Sequence, residues 1–126
     1  MAYELKSELC DAESLVIKPG SAKTTGAAEI INGKIYFYLK GSASPYDATE
    51  QLLGITRASV VEVDCDNTLT YANGENVYDH ATTPTGIVNK TSGSRRLVGY
   101  VRHPEGGTYA VGTTKIQIRY NGNNEV

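Results

Sequence analysis

Two histidines, His80 and His103, and the run Asp64-Cys65-Asp66-Asn67 carry the side chains best suited to chemistry. A histidine can move protons near neutral pH, and beside a Ser and an Asp it can activate a nucleophile. No nucleophile-elbow sequence accompanies either histidine, and no acid–base pair can be named, so a small hydrolase is set aside. Neither histidine belongs to a His-x₃-His or Cys-x₂-Cys spacing, so no metal site is predicted. Asp64 and Asp66 are alternate residues of a strand and share a face, where both could meet one cation. A Ca²⁺ loop needs more oxygen ligands and a distant Glu at set spacing, so a strand-end turn is the expectation. Gly20-Ser21-Ala22-Lys23-Thr24-Thr25-Gly26 resembles a phosphate loop only in its glycines and small residues. It lacks the Gly-Lys-Ser/Thr ending, and no helical pattern follows it. Asn89-Lys90-Thr91 is a formal glycosylation sequon with no secretion signal to make it matter. The sequence therefore assigns no catalytic, metal or cofactor-binding residue.

The elements that would hold these residues are strands. Ile30-Ile31-Asn32-Gly33-Lys34-Ile35 predicts a hairpin, because Asn-Gly accepts the positive φ angles of a type I′ turn. After it, Ile35, Phe37 and Leu39 alternate with Tyr36 and Tyr38. Further strands are expected at Ser14–Ile17, Gln51–Arg57, Ser59–Cys65, Leu69–Tyr71, Asn76–His80, Gly86–Val88, Arg95–Arg102 and Thr114–Tyr120. Ser42–Thr49 reads as a loop in which Ser44-Pro45-Tyr46-Asp47 could cap one helical turn. Helical periodicity is sustained nowhere. The fold class is all-β, a compact barrel or sandwich of short strands in a single domain over residues 13–120. Residues 1–12 read as an N-terminal arm, extended or with a short helix, and residues 121–126 as a flexible tail.

Composition narrows the function. At 126 residues about two-thirds of the unfolded surface can be buried, enough for a core without metals or disulfides. The net charge of −2 argues against nucleic acid as a partner. No run approaches the roughly 20 apolar residues of a membrane helix. Residues 1–12 hold no apolar run, so no secretion signal is expected there. In a reducing cytoplasm Cys10 and Cys65 are expected as free thiols, with a bridge between them the alternative. Nine Tyr, one Phe and no Trp make an aromatic set suited to half-buried positions and interfaces.

The chain also echoes itself. Leu52-Leu53-Gly54-Ile55-Thr56-Arg57 returns as Leu97-Val98-Gly99-Tyr100-Val101-Arg102. Each copy follows a strand-like piece, at Gly33–Tyr36 and Gly74–Tyr78. Each precedes an alternating one, at Val60–Val63 and Lys115–Ile118. Two copies are too few for a solenoid and suit one domain of two similar halves. In Arg95–Arg102 both parities carry apolar residues, with Leu97, Gly99 and Val101 on one and Val98 and Tyr100 between arginines on the other. Ordinary surface residues explain this, or a second face that meets a neighbouring subunit. Arg95-Arg96 reads as a solvated strand start, with a salt bridge to an acidic partner the alternative.

Gly74-Glu75-Asn76-Val77-Tyr78-Asp79, a Thr-rich stretch, Leu97-Val98-Gly99-Tyr100-Val101, a turn, and Ile116-Gln117-Ile118-Arg119 together resemble the capsid cement (decoration) proteins of tailed bacteriophages. Leu53-Gly54-Ile55 fits an earlier strand of that family. Asn76 and Asp79 depart from its pattern, and the first 30 residues lie outside it. The resemblance implies a homo-oligomer, a trimer above all, made in the host cytoplasm and bound to the outer surface of an icosahedral shell. Its partner there would be the major capsid protein, whose subunit junctions it would stabilise without catalysis. A trimer gripping several shell subunits gains avidity of about 10²–10⁴ over one contact. The contact residues expected are Tyr3, Tyr36, Tyr38, Arg96, Val98, Tyr100 and Arg102. A carbohydrate-binding β module using exposed Tyr rings is the alternative, weakened by the missing Trp.

Overall fold

The protein is described here from a computed structural model covering residues 3–8, 11–93 and 95–122. Cys10 and residues 123–126 of the expected tail fall outside these residues. Eleven strands and no α-helix are present among them: β1 (Tyr3–Leu5), β2 (Glu13–Ile17), β3 (Ala28–Ile31), β4 (Lys34–Tyr38), β5 (Leu52–Cys65), β6 (Tyr71–Ala72), β7 (Asn76–His80), β8 (Ile87–Val88), β9 (Arg95–Val101), β10 (Thr108–Tyr109) and β11 (Lys115–Asn121). The all-β expectation holds. The main sheet runs β3-β4-β5-β11-β9-β7, with β1, β2 and β8 also paired to β5, and β6 and β10 form a separate ribbon. Every pairing is antiparallel except β5 with β8. Just past β8, Asn89 exchanges two backbone hydrogen bonds with Tyr78 of β7, at 2.9 and 3.1 Å. The path β5-β11-β9-β7 thus bends back toward β5, and the sheet curls as a half-barrel around its core. No helix among the described residues is long and apolar enough to cross a membrane.

The Asn-Gly hairpin forms as read. Asn32 and Gly33 have φ of 52° and 80°, and Ile31 pairs with Lys34 across the turn. No helical turn forms at Ser44–Asp47. The two strands expected on either side of Ala58 are one continuous β5. It bulges twice. Beside β2, Thr56 has no opposite residue, and beside β11 the register jumps between Ala58 and Val61. Each extra residue reverses which parity faces inward. Ile55, Ala58, Val61 and Val63 all reach the core despite their irregular spacing.

The core corrects the reading of residues 1–12 as an arm. Tyr3 is 1% exposed, and β1 pairs with β5 from Tyr3↔Val63 to Leu5↔Val61. The Tyr3 ring stacks on Phe37 at 5.5 Å and meets the edge of Tyr120 at 5.3 Å. Such aromatic pairs add about 0.5–1.5 kcal/mol each beyond the area they bury. The other terminus is also fixed further than expected. Asn121 belongs to β11, and Gly122 donates to the Thr56 carbonyl at 2.7 Å and accepts from Ile35 N–H at 3.0 Å. A side chain at Gly122 would strike the Ile35 carbonyl at 1.9 Å, so glycine alone lets these backbones meet.

Candidate functional site

The residues that looked chemically able are absorbed into turns and strand ends. Asp66 accepts from the backbone N–H and the hydroxyl of Thr68, at 2.9 and 2.6 Å. These two bonds hold its carboxyl below the usual carboxylate range. Asp64 is engaged separately, by Lys115 at 2.5 Å. No group of three or more potential metal-ligating side chains occurs among the described residues. Cys65 is a free, buried thiol whose Sγ–H donates to the Thr113 carbonyl, and burial pushes its pKa up to about 11. The His80 ring accepts backbone N–H bonds from Thr82 and Thr83, closing a turn. His103 accepts from Glu105 N–H and packs its ring on Tyr109 at 4.7 Å. The glycine-flanked loop at 20–26 leads into strand β3, and its Lys23 N–H bonds Ser42 instead of an anion.

The most heavily engaged polar group is Asp79, which is fully buried. One carboxylate oxygen accepts from the Tyr3 hydroxyl at 2.6 Å and Gly86 N–H at 3.0 Å. The other accepts from His80 N–H at 2.6 Å and from the N–H and hydroxyl of Thr85, at 2.8 and 3.0 Å. Burial first, and then the Asp79 charge, hold the Tyr3 hydroxyl well above its ordinary pKa. A buried carboxylate needs such partners to stay in place. Its role is to fasten β1, β7 and the loop after β7 together. Sequence reading missed this centre; the only signal was the Thr-rich stretch six residues on, which supplies part of its donor set.

The expected contact residues divide. Tyr3, Tyr38 and Val98 are at most 1% exposed, and Tyr36 is 8% exposed. These four belong to the chain's own interior, which corrects the expectation that they serve as contact residues. Tyr36 and Tyr38 do alternate away from Ile35 and Phe37, but Ile17 and Leu52 cover them in a second cluster. Val98 turns inward because β9 bulges. Val77 pairs with Gly99 and Tyr78 with Leu97, leaving Val98 extra. Both parities of β9 are apolar for this reason: Val98 and Val101 both enter the core.

Tyr100 and Arg102 remain on the outside. Tyr100 lies opposite Arg119 on one side and Asn76 on the other, on the face away from the buried pair Ile118 and Val101. Arg102 and Arg119 both reach Ser59, through its carbonyl at 3.3 Å and its hydroxyl at 3.1 Å. Arg96 is half-buried and donates to the Gly33 carbonyl at 2.7 Å. The bulge brings Leu97 to the outer face beside Tyr78. With Ala81, Arg95 and Arg96 they line a shallow cleft of about 400 Å³. A second cleft of about 500 Å³ lies at the β5 end, between Asp66, Asn67, Thr85, Asn89 and Arg95. Sequence reading did not single out Tyr78, Leu97 or Arg119 as surface residues. The alternation of Ile116 and Ile118 with Gln117 and Arg119 was a usable signal for the last of them. The arrangement is a stiff strand face carrying Tyr and Arg, residue types that anchor protein contacts. Comparison with protein-family models, curated proteins and solved structures returned no match to this chain.

Proposed function

We propose that this protein is structural: a cement protein that attaches, as several linked copies, to the outer surface of a tailed-phage capsid and braces junctions of the major capsid protein. The observation that carries this reading is the outward face of β9 and β11, where Tyr100 and Arg119 stand on strands fixed by the core and Arg102 follows directly after β9. A rigid backbone holding planar, amphipathic side chains loses little freedom on docking. The engagement of His80, His103 and Asp66 in local turns favours the same reading over catalysis. The sequence resemblance supplies the shell as destination. The test is co-sedimentation with empty capsids assembled from the major capsid protein of the same genome. Saturable attachment is expected, lost in Tyr100→Ala/Arg102→Ala. No attachment of the wild-type protein would overturn the reading.

A carbohydrate-binding module is the second reading, favoured by Asp66, Asn67, Thr85 and Asn89 in the cleft at the β5 end, which Cys65 and Ile87 also line. No aromatic ring lines that cleft to stack on a sugar. A glycan array is expected to stay blank, and specific binding abolished by Asn89→Ala would restore this reading.

A further inference from the structure

The second bulge of β5 gathers two cations. Between the pairs Ala58↔Tyr120 and Val61↔Ile118, Ser59 and Val60 together face the single residue Arg119 of β11. A bulge leaves backbone groups outside the ladder, and they need partners elsewhere. The Val60 carbonyl accepts from the N–H groups of Lys6 and Ser7. The Ser59 carbonyl accepts from Arg102 Nη1 at 3.3 Å. Arg119 donates its own Nη1 to the Ser59 hydroxyl at 3.1 Å. Two guanidinium heads, one from β11 and one from just past β9, therefore end on one residue. They do so on the outer face of the sheet, where Arg119 lies directly opposite Tyr100.

Each arginine spends Nη1 on Ser59 and keeps further N–H donors for other groups. Neither forms an ion pair with a carboxylate among the described residues. Two acids stand nearby. Asp11 accepts from Ser59 N–H at 3.2 Å. A bond from the Ser59 hydroxyl is the first cause holding the Asp11 carboxyl below its usual range, and the charge of Arg119 is the least. Glu62 lies opposite Gln117, away from Ser59 along the same strands. The two bonds to Ser59 keep the arginines side by side against their mutual repulsion.

We propose that this pair is a carboxylate seat: an aspartate or glutamate side chain of the shell protein docks on Arg102 and Arg119, beside the Tyr100 ring. A guanidinium presents paired N–H groups that match the two oxygens of a carboxylate. Heads already tied to Ser59 lose less freedom on docking than free side chains would. The chain as a whole carries −2, so its total charge does not draw an acidic partner. The local pair does, and it selects the face that meets the shell. This inference rests on the proposed attachment to a shell. It adds the chemistry of the partner, and it makes Ser59 the residue that positions the pair.

The test is NMR titration of the protein alone with hexaglutamate and, separately, with inorganic phosphate at equal ionic strength. With hexaglutamate, saturable amide shifts are expected at Ser59, Tyr100, Arg102 and Arg119, and none in the double variant Arg102→Gln/Arg119→Gln. Ser59→Ala keeps both charges and unties Arg119, so binding about threefold weaker is expected. Arg119→Lys keeps the charge and loses the fork, and it is expected to weaken binding as well, which serves should the double variant fail to fold. Absence of shifts at these residues, or shifts unchanged in the variants, would overturn the seat. An equal response to phosphate would overturn its assignment to a carboxylate. Hexaglutamate binding without capsid attachment would overturn only the shell reading. Capsid attachment unchanged in the double variant would overturn only the seat.

Discussion

Leu52–Arg57 and Leu97–Arg102 are nearly the same sequence, and the fold uses them differently. Both are strands paired antiparallel to the strand that holds the preceding piece of the echo, β5 with β4 and β9 with β7. There the likeness ends. The alternating piece after the first copy continues the same strand, while after the second it is a separate neighbour, β11. Gly54 sits in unbroken pairing, opposite Leu15 on one side and Tyr38 on the other. Gly99 sits at a bulge with φ of 153°, against the backbone of β11. Next in each copy, Ile55 is fully buried, whereas Tyr100 faces outward. A shared string of residue types sets strand propensity, and the partner strand decides which residue serves as core and which as surface.

Substitutions at matched positions sharpen this contrast. The largest effect is expected at Gly99→Ala. Its new Cβ would lie 1.9 Å from the Arg119 carbonyl oxygen, on backbone that cannot rotate away. A loss of about 4 kcal/mol or more, or no folded protein, is expected in urea unfolding. Ile55→Ala follows, with about 3 kcal/mol lost from a fully buried position. Gly54→Ala is milder. Its Cβ meets the Ile17 Cδ1 at 2.5 Å, the movable end of a side chain, and Tyr36 at an ordinary 3.4 Å. About 1 kcal/mol is expected in the same measurement. Tyr100→Ala is expected to change stability by less than about 1 kcal/mol while reducing capsid attachment in co-sedimentation. If Gly54→Ala proves as damaging as Gly99→Ala, the two copies play the same part and the contrast fails.

Much of the fold was legible. The Asn32-Gly33 hairpin, β7, β9 and β11 lie where turn chemistry and alternation predicted them. Strands β1 and β10 were not legible, because two or three residues carry no period and only their distant partners make them strands. The bulges at Thr56 and Val98 were hidden for a related reason: an extra residue exists only relative to the strand beside it. Tyr36 and Tyr38 misled because alternation reports two faces but not whether both are covered. Of the surface, Tyr100 and Arg102 could be read directly. Leu97 could not, since its exposure follows from the bulge that turns Val98 inward.

The bond between Tyr3 and Asp79 joins positions 76 residues apart, and Tyr120 closes the same aromatic group from the other end of the chain. Strand β1 therefore acts as a keystone. Its backbone pairs with β5, while its tyrosine finds its partners only where β7 and β11 are both in place, so one side chain ties the start of the chain to two strands that arrive much later in the sequence. Contacts of such long separation are slow to close.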